Sequence, residues 1–311
     1  MLDIKKLEEK GFCQEQINQI VKIHEITEID MSSLPITTNV DKLREIKNDL
    51  MNSKYSPIQE SYLVNGLEQN IDVTIFANPK YSARKMELIL NALIDELDVK
   101  YFVELYNLPN GNDRIDDLEI IFEGLRYGLD VSKYESPNFN YLQKIQIKQG
   151  LMSKLPVEIY AKECYNEDQM CSLFKALRQK IDVSKMANPL YSYEIMELIR
   201  NCLEKGMEIT DFINTNFKMD QVLQIKKGME REINVSLLAN ENYSPIKMKG
   251  IRKLLEYNKK HGTNWDYKIF LLNNLDDDKI LGIIDVIKNG DNELIGKMYQ
   301  NYCVYQEEME R

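Results

Sequence analysis

The chain has 311 residues, a formal net charge of −10 at pH 7 and a sequence pI near 5.0. Its hydrophobic content of 43% is ordinary for a folded protein, and no run is long and apolar enough for a membrane span or a secretory leader. The acidic balance argues against general binding to nucleic acid or anionic membrane, and five scattered cysteines without a Cys-x-x-Cys pair imply a reducing, cytoplasmic setting without a metal site.

In chain order, Phe12, Ile17 and Ile20 begin a helical stripe that reads as a divergent N-terminal capping repeat. A second stretch, 40–52, keeps Leu43, Ile46 and Leu50 but has no linker phrase after it. From Tyr55 onward a repeat recurs with a step of 26 residues, beginning at Tyr55, Tyr81, Asp113, Phe139, Tyr165, Tyr191, Phe217 and Tyr243. One interval is stretched by six residues, near 107–112, around a Pro-Asn-Gly turn. A period of this length marks a solenoid whose repeats stack only on their neighbours.

Each repeat, numbered from its first residue, predicts a helix and then a short turn. Ser56, Ser82, Asn166 and Ser192 at position 2 are expected to cap the helix. Apolar residues at positions 6, 9, 13 and 17, such as Met170, Leu173, Leu177 and Ile181, fall on one helix face. Position 12 is small: Gly66, Ala92, Gly124, Gly150, Ala176, Cys202 and Gly228. Glycine inside a helix costs about 0.5–1 kcal/mol against alanine, so its recurrence implies a gain, and the expectation is that a neighbouring repeat's backbone passes close there. A phrase such as IDVTIFANP or IDVSKMANP follows. Asp72, Asp98, Asp130 and Asp182 are expected to cap a single helical turn, with Val73 and Phe76 and their equivalents buried behind it. Pro79, Pro137 and Pro189 stop that turn.

Beyond Tyr243 a second stretched interval containing His261, Gly262 and Trp265 reads as a loop. Ile280, Ile283 and Ile287 form a last stripe, and 291–311 reads as a terminal helix. The expected organisation is an all-α, curved, right-handed solenoid of about ten repeats of 26 residues, with N-terminal caps at 1–54, the array at 55–258 and C-terminal capping helices at 259–311.

Nothing in the sequence composes a catalytic constellation, and no enzyme, cofactor or metal is expected. The two histidines, His24 and His261, lie far apart, and neither has a second ligand type at metal spacing. There is no Gly-x-Ser-x-Gly elbow and no phosphate-binding glycine loop. The run Asp276, Asp277, Asp278 is explained as a helix cap with dipole partners.

One position varies in an informative way. Position 10, at the edge of the apolar stripe, is Val64, Leu90 and Phe122 in early repeats and Lys148, Arg200, Lys226 and Arg252 later, with Phe174 between. Position 11 adds Lys175, Lys227 and Lys253. From 217 to 262 there are ten Lys or Arg against five Asp or Glu, a basic stretch in an acidic protein. Positions that vary between repeats are free to read a partner, so these side chains, Phe174 excepted, are the ten candidate partner-binding residues. Basic stems covering apolar surface at a solvated helix edge are the plain alternative.

The phrases QM-x-x-[LI]-x-x-x-L and [IL]-D-V-S-x-[YM]-A-N-P, across most of 12–258, resemble tandem repeats in uncharacterised proteins of Firmicutes and of their phages and mobile elements. In architecture the repeat is similar to leucine-rich variant repeats, which alternate an α-helix with a 3₁₀ turn. That likeness carries no site. The resemblance implies a non-catalytic protein-binding scaffold. On a mobile element, its role would be to bind and inhibit a host defence protein, one that itself handles nucleic acid. The alternative is a helical repeat protein that binds nucleic acid directly through the basic ridge of its C-terminal half.

Overall fold

The computed structural model of the protein describes residues 2–104, 114–272, 275–290 and 292–309, so the stretch expected at 107–112 lies outside the described residues. Among the described residues every regular element is helical. The chain forms two compact bodies, Met1–Glu163 and Cys164–Arg311. Their boundary falls inside the 55–258 array.

The first body runs α1 (Ile4–Lys10), α2 (Gln14–Thr27), α3 (Val40–Met51), α4 (Pro57–Glu68), α5 (Ala83–Ile94), α6 (Lys100–Val103), α7 (Ile115–Arg126) and α8 (Tyr141–Met152), with 3₁₀ turns at Val73–Ile75, Val131–Lys133 and Val157–Ile159. Within it α2 packs on α3, α4 on α5, α5 on α7 and α7 on α8. The second body runs α9 (Glu167–Arg178), α10 (Tyr193–Glu204), α11 (Met219–Glu230), α12 (Pro245–His261), α13 (Asp277–Asn289) and α14 (Asn292–Met309), with turns at Val183–Lys185, Ile209–Asp211, Val235–Leu237 and Tyr267–Leu271. Here too each long helix packs on the next.

The expected caps form. The side chains of Ser56, Ser82, Asn166 and Ser192 accept from the backbone N–H three residues on. Asp72, Asp130 and Asp182 accept from Thr74, Ser132 and Ser184 at the start of their turns. Helix exits share one device as well. The residue at position 16 takes a left-handed conformation, either glycine (Gly128, Gly206) or a residue such as Asn70 and Lys180. The next N–H then bonds back to the carbonyl of position 12, as Ile71 does to Gly66 and Ile181 to Ala176.

The small position 12 has a different cause from the one the spacing predicts. What fills the space over it is the repeat's own 3₁₀ turn, not a neighbour's backbone. A Cβ on Gly66 would stand 2.8 Å from Val73 Cγ1, one on Gly124 1.7 Å from the Tyr134 hydroxyl, and one on Gly150 1.9 Å from the Tyr160 hydroxyl. Val73, Phe76, Tyr134 and Tyr160 are all buried. The two tyrosines cross their glycines to donate to the Ile120 and Gln146 carbonyls at 3.5 and 3.2 Å. Burial pushes both phenols well above the ordinary tyrosine range.

The second stretched interval is not a loop throughout. It lengthens α12 to 17 residues, which end at the Gly262 C-cap. His261 is the last residue of that helix and stacks on Tyr257 with ring centroids 4.3 Å apart. Gly250 gives way to Phe270 as the other glycines do to their turns. Trp265 stacks on Tyr299 of α14 at 4.6 Å. Asp276 caps α13 by accepting from the Lys279 N–H at 2.9 Å.

Candidate interaction surface

Positions 10 and 11 follow the apolar stripe on each long helix, so their surroundings depend on how consecutive helices meet. In the first body Val64 stands 37% exposed, whereas Leu90 is 1% exposed. Leu90 fills the seam between α4 and α5, its Cδ1 3.4 Å from where a Cβ on Gly66 would be. Phe122 is half-buried, edge-on to Phe102 at 6.4 Å, with the Arg126 guanidinium 5.7 Å from its ring centre. Lys148 crosses the seam from α8 to pair with Glu123 of α7.

In the second body the buried Phe174 repeats the arrangement of Phe122, with the Arg178 guanidinium 5.6 Å from its ring centre. Arg200 binds Glu197 at 3.0 Å and reaches back to Gln179 Oε1 at 2.7 Å. The bond to Glu197 holds Arg200 above its ordinary value, and burial opposes it. Burial alone would raise Glu197, but its bond to Arg200 and the charges of Arg200 and Lys175 hold it below the usual carboxylate range. Arg252 is buried, donates to Gln224 of the preceding helix at 3.1 Å and pairs with Glu256. Lys253 meets the same carboxylate at 2.7 Å. Lys226 lies 3.7 Å from Glu230. Lys175 is half-buried; burial works against its charge, yet the neighbouring Cys171 and Glu197 hold it above its ordinary value. Lys227 is exposed.

Position 10 is therefore part of the seam between helices in most repeats. Its cations are tied to carboxylates on their own helix or the preceding one. In each body a cation and a carboxylate therefore lie side by side at the seam.

Three features of this seam are absent from the sequence reading. The first is glutamine at position 5. Gln169 Oε1 accepts from the Asn166 N–H, and its Nε2 donates to the Pro189 and Tyr191 carbonyls at 3.0 and 2.7 Å. Gln59 reaches Tyr81 at 2.7 Å, and Gln221 reaches Glu241 and Tyr243 at 2.8 Å each. One buried amide thus caps its own helix and fastens the entry to the next. The signal was legible: Gln three residues after a capping Ser or Asn is a capping box.

The second is Lys144, which stands where other repeats carry Met, Leu or Val and is fully buried. Its amine donates to the Tyr134, Glu135 and Ser136 carbonyls at 2.9, 3.2 and 2.7 Å. Burial pushes it down to about 8, with Asp117 opposing that shift. Arg114 pairs with Asp117 at 2.5 Å beside it. The third is a shallow notch lined by the stretch 27–33 and by Val64, Leu67 and Glu68 of α4. The Cys202 thiol at position 12 is pushed up to about 11 by burial, which keeps it protonated and unreactive. Among the described residues no three His, Cys, Asp or Glu side chains are placed to hold a metal ion, and no helix is long and apolar enough to cross a membrane.

In comparisons with known proteins, no family model matches the chain, and no curated protein or solved structure matches it.

Proposed function

We propose that the chain is a curved, right-handed solenoid that acts as a non-catalytic, protein-binding scaffold in the cytoplasm. The observation that carries this reading is the pairing of the basic ridge. Binding to a nucleic-acid backbone draws on cations free to replace condensed counterions. Lys148, Arg200, Arg252 and Lys253 are already held by Glu123, Glu197 and Glu256. Paired charges at the seams of each body, with Val64 and Phe122 beside those of the first, are instead the composition of a protein interface rim and core. The net charge of −10 points the same way. From the resemblance of the repeats to those of phages and mobile elements, we further propose that the partner is a host defence protein that handles nucleic acid and is inhibited by capture.

The test is co-purification of the tagged full chain from its native host, with and without nuclease, alongside binding of labelled single- and double-stranded oligonucleotides at physiological salt. The scaffold reading expects one protein captured in stoichiometric amount, insensitive to nuclease, and no oligonucleotide shift. Capture that disappears with nuclease, or a sub-micromolar salt-sensitive shift, overturns it in favour of direct nucleic-acid binding.

A further inference from the structure

The turn that follows α9, α10, α11 and α12 has no counterpart after α13. Two residues, 290 and 291, join α13 to α14, where fourteen, 179–192, join α9 to α10. Burial along α13 differs accordingly. Position 9 is fully buried in all eight repeats from Leu63 to Ile251. Ile283, at the same distance from its cap Asp276, is only half-buried. Position 12 is fully buried as Ala92, Ala176 and Cys202, whereas Val286 is half-buried.

Ile283 and Val286 wall an open groove of about 590 Å³, together with Ile269 and Leu272 after α12 and Met298 and Tyr302 of α14. Leu272 and Met298 are half-buried as well, so much of this apolar lining is still in reach of a ligand. Gly282 also lines the groove and shows the room above it. A Cβ on Gly66, Gly124, Gly150, Gly228 or Gly250 would come within 3 Å of a packed side chain, whereas one on Gly282 would meet nothing within 4 Å. Glycine is disfavoured inside a helix; at the other five a side chain of the protein uses the room it leaves, and at Gly282 none does. Among the described residues the one charged group lining the groove is Lys279, its amine 3.8 Å from the Asp276 carboxylate.

The other repeats define what suits such a place. There the turn lays a valine and, three residues on, an aromatic side chain against position 12, as Val73 and Phe76 do at Gly66 and Val131 and Tyr134 at Gly124. An aspartate, Asp72 or Asp130, precedes each pair and caps its turn. We infer that the groove beside α13 is a docking site for a short peptide segment of a partner protein with the same pattern: an acidic residue, then a branched aliphatic one and, three residues on, an aromatic one. The segment continues the helix–turn seam that runs through the body. Its apolar pair covers Ile283 and Val286, its backbone comes close at Gly282, and its carboxylate meets Lys279. The inference rests on the scaffold reading and narrows it to one place and one ligand chemistry.

The probe is a random peptide library displayed on phage, selected on the immobilised full chain. Selected peptides are expected to share the aliphatic–aromatic pair and an acidic residue before it. Each is expected to lose on the order of tenfold or more in affinity for Gly282→Leu, whose side chain enters the groove. That variant has room to fold and replaces glycine by a better helix former, so its melting midpoint should equal or exceed that of wild type. Lys279→Glu changes an exposed side chain, leaves the apolar walls intact and should weaken the same peptides through charge alone. Overturning results are no enriched peptide, enriched peptides without the pair or the acid, or equal binding to wild type and both variants. A wild-type dimer that Gly282→Leu converts to monomer would also overturn it, by making a second copy the occupant. If peptides enrich but ignore both variants, the groove is wrong while the scaffold stands; loss of nuclease-resistant co-purification removes the scaffold itself.

Discussion

At the scale of single residues two repeats carry a complementary pair, position 12 on the helix and position 22 on the turn. Where position 22 is Tyr134 or Tyr160 the partner is Gly124 or Gly150, because any Cβ would overlap the hydroxyl. Where it is Met186 the partner is Ala176. Gly124→Ala is expected to destabilise by about 1–3 kcal/mol through overpacking. Tyr134→Phe in the same chain should return part of that loss, because it removes the atom that collides. Chemical denaturation of the single and double variants checks this, and strictly additive losses would contradict it. Lys144 is a second residue-scale case. Its three carbonyl bonds satisfy a turn end that other repeats close with the backbone N–H of position 24, as Asn78 does with Phe76 and Asn188 with Met186. Lys144→Met, though it restores the residue of sister repeats, should therefore destabilise by about 1–3 kcal/mol by leaving buried acceptors unmet. An unchanged midpoint would show that water replaces the amine without loss.

At the scale of the element, helix plus turn was legible because its signals are local. Capping Ser and Asn, Asp before Val, the 3–4–4 apolar spacing and the terminating Pro each act within a few residues. What was not legible depends on the partner across a seam. Glycine at position 12 reports close approach but not by what, and the sequence reading assigned it to a neighbour's backbone. Position 10 looked like an exposed edge on an isolated helix, but Leu90 and Arg252 are buried once the preceding helix is in place. The six extra residues after Tyr243 gave no sign that they would lengthen α12, since Lys259 and Lys260 suit a helix end and a loop equally well. Gln169 joins the two scales. Gln169→Ala removes the bonds to Asn166, Pro189 and Tyr191 and should cost about 1–3 kcal/mol, with hydrogen exchange at the start of α10 rising first. Protection there unchanged from wild type would contradict the clamp.

Glu256 gives the seam a pH dependence. Burial opposes its charge, but the bonds from Lys253 and Arg252 hold it below its ordinary value of 4.5. A carboxylate depressed in the folded state adds stability above its unfolded value and loses it as pH falls through the folded one. The stability advantage of wild type over Glu256→Gln should therefore be full near neutrality and shrink as pH drops below about 4.5. A difference constant with pH would remove the ion pairs from the account.

At the scale of the whole molecule, the scaffold reading needs repeats that hold only their neighbours, so that partner-reading positions can vary without unfolding the rest. Leu173 is fully buried in α9, and Leu173→Ala should cost on the order of 2–5 kcal/mol. Residue-resolved hydrogen exchange on the wild type and on this variant tests the nearest-neighbour array most directly. The array predicts that protection falls in α9 and α10, less in α11, and not measurably in α12 and α13 of the same body. A uniform loss of protection from α9 through α13 would show a single cooperative core and contradict it.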